Sequence, residues 1–343
     1  MPERRWLRRL RLPVQPMARH LLMAGGGALG FYLLTSALSP YDDFQIGEIA
    51  LFAVALAGLS VLTGGNGQIS LGHGALMAVG AYTIALEMTH THINFVVELL
   101  VSIATATAVG VVVGIPATRL KGPYLAGMTL ILAVGLPLLA DKYSGTFGGD
   151  QGLTTTPPTA PGSVNPEEWL AWIEIIGALV TLVLLANLMK SRFGRAFRAV
   201  RDDEISAALA GVNVARTKVL AFGVSATCAG LAGAFLAVST GVVNTGEFPL
   251  SLSIGILAGM VLGGAGSLMG VWWGAIVLVY LPQWSTSLSN AFNLGSGVAA
   301  YLATMIYGVV LIVVMLLAPS GVQGGLRRAG LQLQTTLQRW RPE

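Results

Sequence analysis

Residues 49 to 86 read IALFAVALAGLSVLTGGNGQISLGHGALMAVGAYTIAL, without a single Asp, Glu, Lys or Arg. An α-helix crosses the hydrocarbon core of a bilayer in about 20 mostly apolar residues, so this stretch holds two crossings. Its polar, glycine-rich middle, Gly64-Gly65-Asn66-Gly67-Gln68, divides them. Equivalent charge-free stretches run over 20–41, 99–118, 122–140, 219–246 and 248–326. The chain as a whole has 343 residues, of which 54% are hydrophobic and only 10% charged, against about 25% charged in an ordinary soluble domain. A water-soluble fold of this size has no interior large enough for that much apolar surface. The 44 glycines and few aromatic residues point to closely packed helices rather than a β-barrel. Cys228 is the single cysteine, which excludes an intramolecular disulfide and any cysteine-based metal site.

The reading is an all-α polytopic integral membrane protein of about ten transmembrane helices, near 21–39, 46–63, 74–90, 95–117, 123–140, 170–189, 219–241, 251–265, 268–282 and 298–318. Polar breaks at 263–267 and 282–297 divide the longest apolar stretch. Ten spans place four basic groups on one face: Arg4 to Arg19, Arg119 with Lys121, Lys190 to Lys218, and Arg327 to Arg341. Only Lys142 falls opposite, in company with Asp42, Asp43, Asp141, Asp150, Glu167, Glu168 and Glu247. The positive-inside rule makes the basic face, and both termini, cytoplasmic. The expected organisation is a basic segment over 1–20, a transmembrane domain over 21–318 and a cytoplasmic tail over 319–343, with a cytoplasmic segment at 190–218 and an external loop at 141–169. The first span reads as a retained anchor, since no short apolar stretch with a small-residue cleavage site precedes it. The basic balance fits loops facing anionic lipid, and no soluble domain is evident to bind nucleic acid.

Membrane depth is nearly bare of ionisable groups, each of which costs about 2.5–3.5 kcal/mol there on insertion scales. Glu48, Glu87, Glu98 and Glu174 are expected near the outer ends of spans, where water solvates them. Voltage or proton coupling has no residues to work with. His90 and His92 lie in a short external loop without carboxylate or thiol neighbours, which makes a poor metal site. No Gly-x-x-x-x-Gly-Lys-Ser/Thr loop occurs, so any ATP-driven work needs a partner. No catalytic, cofactor or metal set is assigned.

The segment 190–218 is where a partner would engage. Residues 195–211 favour helix, with Gly211 placed to end it. Phe197, Val200, Ala207, Ala208 and Gly211 can share one side, with Arg198 and Asp202 paired at i,i+4 on another. The run Arg195, Arg198, Arg201 followed by Asp202 and Glu204 polarises the surface. It serves either as a solvated interfacial helix or as a docking helix whose charges set register.

Gly194 to Gly211 (GRAFRAVRDDEISAALAG), continuing as VNVARTKVLAFGVSATCAGLAGAF, resembles the LivM-type permeases of branched-chain amino acid ABC importers. Further matches are GGNGQISLGHGALMAVGAY (64–82), RLKGPYLAGMTL (119–130), GGDQGL (148–153), LAGMVLGGAGSLMGVWWGA (257–275) and YGVVLIVVMLLAPSGVQG (307–324). The resemblance runs in order over nearly the whole chain from about residue 46. It implies a non-enzymatic permease subunit in a bacterial inner membrane, paired with a LivH-like second permease and two ATP-binding cassette subunits that use ATP and Mg²⁺. An external solute-binding protein delivers the substrate. Arg195, Phe197, Arg198, Arg201, Asp202, Glu204, Ala207, Ala208 and Gly211 match the loop that couples such permeases to their ATPases, with Glu204 to Gly211 spaced one residue longer than the usual Glu-Ala-Ala-x-x-x-Gly. The family substrate is leucine, isoleucine or valine, while related permeases carry urea or short amides. Outside this architecture the rivals are a self-sufficient secondary transporter or channel, which would need coupling charges or polar pore rings, and a membrane-embedded transferase, which would need a clustered acidic or histidine catalytic set; the sequence shows neither.

Two further elements have open readings. Asn66, Gln68, Ser70 and His73 interrupt an apolar region, either as a polar inter-span loop or as a gate or substrate-pathway element. Gly255, Gly259 and Gly263, followed by Gly266, form a small-residue stripe for helix packing, internal or against a sister permease. The Pro- and Thr-rich external segment is either a tether or a surface for the binding protein.

Overall fold

The computed structural model describes residues 39–291 except 92, 121 and 163, together with 25–28, 30–31, 305–306, 308–309, 312–313 and 321–325. The expected spans at 21–39 and 298–318, and both terminal segments, fall wholly or mostly outside these residues. Helix α1 (Pro40–Leu59) starts at a capping box in which Ser39 and Asp42 bond each other's backbone, with Pro40 in the first turn. It runs on through a π-helical turn, Ser60–Gly65. There follow α2 (His73–His90), α3 (Phe95–Ala117), α4 (Pro123–Lys142) and α5 (Pro166–Lys190). Two short helices, α6 (Arg192–Asp202) and α7 (Glu204–Leu209), precede the long α8 (Val214–Thr240). The helices α9 (Leu250–Gly263) and α10 (Val271–Ala291) end the described bundle.

Six helices among the described residues are long and apolar enough to cross a membrane: Pro40–Gly65, Phe95–Ala117, Pro123–Lys142, Pro166–Lys190, Val214–Thr240 and Thr245–Gly263. The chain is an all-α polytopic membrane protein. The expected break at Pro282 is absent, and α10 continues through it to Ala291. A proline removes one backbone donor, and neighbouring helices can absorb that loss at membrane depth.

Helix α8 is the axis of the bundle, packed against α3, α2 and α1. Small residues make this possible. A methyl group added at Gly80 would strike the Gly230 backbone, one at Gly233 the Met77 backbone, and one at Gly58 the Cys228 side chain. Without a hydrophobic driving force between helices in lipid, such close backbone approach supplies the van der Waals contact that holds them. The Gly259 and Gly263 stripe packs internally, against Leu278 and Gly270 of the α9–α10 hairpin, with Leu56 of α1 beside Gly259. The outward faces of α3, α4 and α5 carry exposed Val112, Ile131, Leu138, Ile176 and Leu184, which suits contact with lipid.

The carboxylates expected in solvated outer positions are partly inside. Glu98 and Glu174 are both buried, and Glu174 accepts a hydrogen bond from the Ser239 hydroxyl near the end of α8. The 141–169 segment is not a free tether. Its strand β1 (Leu153–Thr154) pairs antiparallel with β2 (Val242–Val243), just beyond α8. Thr155 then donates its N–H to Gly241 O at 2.9 Å and its hydroxyl to Ala237 O at 2.5 Å. The two-residue pairing is too short for any sequence periodicity to announce.

Candidate functional site

At the end of the bundle opposite this sheet, the 190–218 segment folds back on the transmembrane helices. It forms two helices rather than one. Asp203, at φ −159° and ψ 115°, leaves the helical region and caps α7, accepting from the N–H groups of Ile205 at 2.8 Å and Ser206 at 3.3 Å. The Ser206 hydroxyl and these two amides hold its carboxyl below the usual carboxylate range. Asp is a strong N-cap residue, so a start signal lies inside what the sequence presents as one continuous helix. The far end of α7 is closed as expected: Val212 N–H bonds Ala207 O and Gly211 N–H bonds Ala208 O, with Gly211 at φ 85°. This is the Schellman arrangement, whose left-handed position favours glycine.

The side chains sort into an inner and an outer set. Phe197 is 1% exposed, Val200 and Ala207 are also buried, and Phe197 belongs to the main core. Phe197 therefore anchors α6 on the bundle. Arg198 does not pair with Asp202; it donates to Met189 O at 2.9 Å, and Asp202 takes the neighbouring Arg201 instead at 2.9 Å. Arg201 also donates to Gly64 O at 2.8 Å. Glu204 is engaged by the buried Lys218 ammonium at 2.6 Å. Arg195, Ala208 and Gly211 face solvent. So do Ile205, 72% exposed, and Leu209, 86% exposed. These two stand four residues apart on α7, where i,i+4 side chains are neighbours, and form an apolar patch on a segment rich in charge. Sequence reasoning passed over them, although an i,i+4 apolar pair in a charged segment was the signal available.

The Gly64–Gly74 break meets this segment directly. Asn66 Nδ2 lies 3.5 Å from Phe197 O, and Gln68 Nε2 donates to Asn66 Oδ1 at 2.6 Å and to Lys218 O at 3.2 Å. Asn66 and Gln68 are thus bonded to the 190–218 segment. Ser70 and His73 lie higher and are fully enclosed, with His73 Nδ1 3.5 Å from the Ser225 hydroxyl of α8. The non-helical backbone between is satisfied by hydroxyls. Thr129 of α4 accepts from Leu71 N–H at 2.9 Å, Ser70 from Gly72 N–H at 3.3 Å, and Ser253 of α9 from Gly74 N–H at 3.0 Å. Irregular backbone at membrane depth survives only where protein supplies such partners. The second break touches the first: Gly266 N–H donates to Ser60 Oγ at 3.0 Å, and Gly64 abuts Gly266. A cavity of about 290 Å³ opens beside these elements, lined by Gln68, Leu120, Leu125, Asp203, Ile205 and Lys218 among others.

Apolar helices closed around a small-residue axis, with a broken span wired to a charged two-helix appendage, define a polytopic membrane protein. The chain belongs to the family described as the branched-chain amino acid transport system / permease component, whose pattern matches residues 18–315. It is 31% identical over 268 residues to the high-affinity branched-chain amino acid transport system permease protein LivM of Escherichia coli (strain K12), covering 71% of this chain and 62% of LivM. The chain thus spans less than two thirds of the length of that relative. It is 27% identical to LivH of Salmonella typhimurium and 26% identical to BraD of Pseudomonas aeruginosa, each over 80% of this chain and 91% of the relative. No solved structure matches it. The family is one of transport permeases, not of enzymes.

Proposed function

We propose that this chain is the membrane-spanning permease of a binding-protein-dependent ABC importer. In this reading it carries branched-chain amino acids into the cytoplasm by alternating access driven by partner ATPases. The observation that carries it is the exposed Ile205–Leu209 pair on α7, presented on a segment anchored by Phe197 and bonded to a broken transmembrane span. A charged helix pair with an apolar crest is built to be gripped, and the chain has no phosphate loop of its own. In this reading the basic residues put this end in the cytoplasm, where both termini also lie, and ten spans cross a bacterial inner membrane. A LivH-like second permease and two ATP-binding cassette subunits complete the assembly. An external solute-binding protein docks at the opposite end, where β1 and β2 fix the 141–169 segment to α8.

Purification from native membrane followed by proteoliposome transport tests this reading. It requires co-purifying ATPases and a second permease, and ATP-dependent leucine uptake only when a binding protein is added. ATP-independent uptake by this chain alone would mark it as a secondary transporter. Uptake of urea or short amides in place of leucine would reassign the substrate and leave the architecture intact.

A further inference from the structure

The 190–218 segment continues into α5 at one end and α8 at the other, and it is also hydrogen-bonded to the broken span between α1 and α2. At its lower end, Asn66 and Gln68 are bonded to the carbonyls of Phe197 and Lys218, and Arg201 to that of Gly64. At its upper end, Gly74 is bonded to Ser253 in the first turn of α9, and His73 lies against Ser225 of α8. Helix α9 gives the scale. Its beginning touches Gly74 and the turn just past its end touches Gly64. From Ser253 to Gly263 the helix rises about 15 Å at 1.5 Å per residue. The break therefore bridges two levels of the bundle about that far apart. The segment's hydroxyl partners on α4 and α9 fix its path.

We propose that residues 66–73 act as a transmission strand, with Asn66, Gln68 and Arg201 as positioning residues. Movement imposed on α6, and on the start of α8 that follows α7, is handed through them to the first turn of α2 at the centre of the bundle. This deepens the ATPase-driven reading above and rests on it. The strand and the α6–α7 pair move as one body, so weakening their bonds separates ATP hydrolysis from transport, and a covalent tie between them preserves coupling.

The test uses the complete complex in proteoliposomes. Gln68→Leu keeps the side-chain bulk and removes both donors; the expected result is assembly and ATP hydrolysis as in the parent, with leucine moved per ATP reduced about tenfold. A second variant pairs Gly67→Cys with Arg201→Cys, because a Cβ at Gly67 would lie 3.4 Å from that of Arg201, close to the usual disulfide spacing of about 3.5–4.5 Å; Gly67 sits at φ 79°, so Gly67→Cys alone is the control for backbone strain. Cys228 is buried and does not compete. Reduced, this variant lacks the Arg201–Gly64 bond and is expected to be poorly coupled; oxidised, it regains coupling.

A third readout is independent of substrate. Ile69 is 45% exposed, and the reaction rate of Ile69→Cys with an aqueous maleimide is expected to change at least fivefold on ATP binding, with the change lost when Gln68→Leu is added. The proposal is overturned if Gln68→Leu leaves transport per ATP and maleimide response unchanged, or if oxidation of the cysteine pair lowers transport. Failure of the underlying docking reading looks different: Leu209→Asp would then leave ATPase assembly untouched.

Discussion

Replacing Phe197 by Ala separates an anchor from a contact. The side chain is 1% exposed and sits in the main core beneath α6. Removing a buried phenylalanine side chain costs about 3–5 kcal/mol, from lost transfer energy plus the cavity left behind. Helix α6 adds only Val200 and Gly194 as further buried residues, so the loss concentrates on this one attachment. The expected outcome is local release of α6 and α7, seen as faster proteolysis between Lys190 and Lys218 and a lower unfolding temperature in detergent. Leu209→Asp is the opposite case. At 86% exposed, its replacement should change the stability of the isolated chain by under about 0.5 kcal/mol. In the proposed dock the same leucine becomes buried, worth about 2 kcal/mol, and its loss should weaken ATPase assembly roughly thirtyfold. Titration of detergent-solubilised permease with ATPase measures that ratio. A Phe197→Ala chain as protease-resistant as the parent, or a Leu209→Asp chain that assembles normally, refutes the division into inner and outer sets.

Three other perturbations have expected outcomes. Gly233→Ala drives a methyl into the Met77 backbone whereas Gly127 faces open space; thermal unfolding should show the first destabilised by about 1–3 kcal/mol and Gly127→Ala stabilised by about 0.4–1 kcal/mol. Ser239→Ala strips the donor from the buried Glu174 carboxyl and should cost about 1–3 kcal/mol, measured against Ser239→Thr, which keeps a hydroxyl. Asp203 is held below its ordinary value of 3.8 by the Ser206 hydroxyl and two amides, so its capping of α7 is present above that value and is lost as pH falls through the lowered one. Hydrogen exchange of the Ile205–Leu209 amides should show extra opening in that acid range, which Asp203→Asn, itself a good cap, abolishes.

Long apolar elements were legible because their signal is redundant. The span expected at 95–117 is the helix Phe95–Ala117, bounded by the Asn94 cap at one end and by Pro116 in its last turn. Helices α4 and α5 begin on Pro123 and Pro166, where a proline costs no hydrogen bond. The appendage was harder. Propensity averages over a window and smooths across Asp203, whose side chain prefers to cap rather than continue. Arg198 had two acceptors in reach, and only the fold brings Met189 O closer than Asp202. The partners of Asn66 and Gln68 lie more than a hundred residues away in sequence, and no local pattern encodes such a pairing. Glu174 was misplaced for the same reason, since Ser239 becomes its neighbour only through helix packing.

The two glycine-rich breaks explain why a polar, irregular segment is tolerated in the middle of an apolar bundle. Gly64 and Gly266 approach backbone to backbone, and Ser60 takes the Gly266 N–H. A side chain at Gly64 would force these two turns apart and with them the Arg201–Gly64 bond. Three helices that touch the break supply hydroxyls, Thr129 from α4, Ser253 from α9 and Ser225 from α8, while Met189 of α5 packs on Gly65 and Arg201 of α6 holds Gly64 O. The hydroxyls of Thr129 and Ser253 each satisfy a backbone N–H of the break at a net worth of about 1 kcal/mol. Bonds of that size are exchanged one at a time, so the segment stays ordered at rest and can still shift its partners when its lower end is moved. A charged pair in the same place would resist such a shift, because breaking a buried pair costs about 3–5 kcal/mol. The scarcity of charge at this depth is thus a condition for motion as well as for insertion.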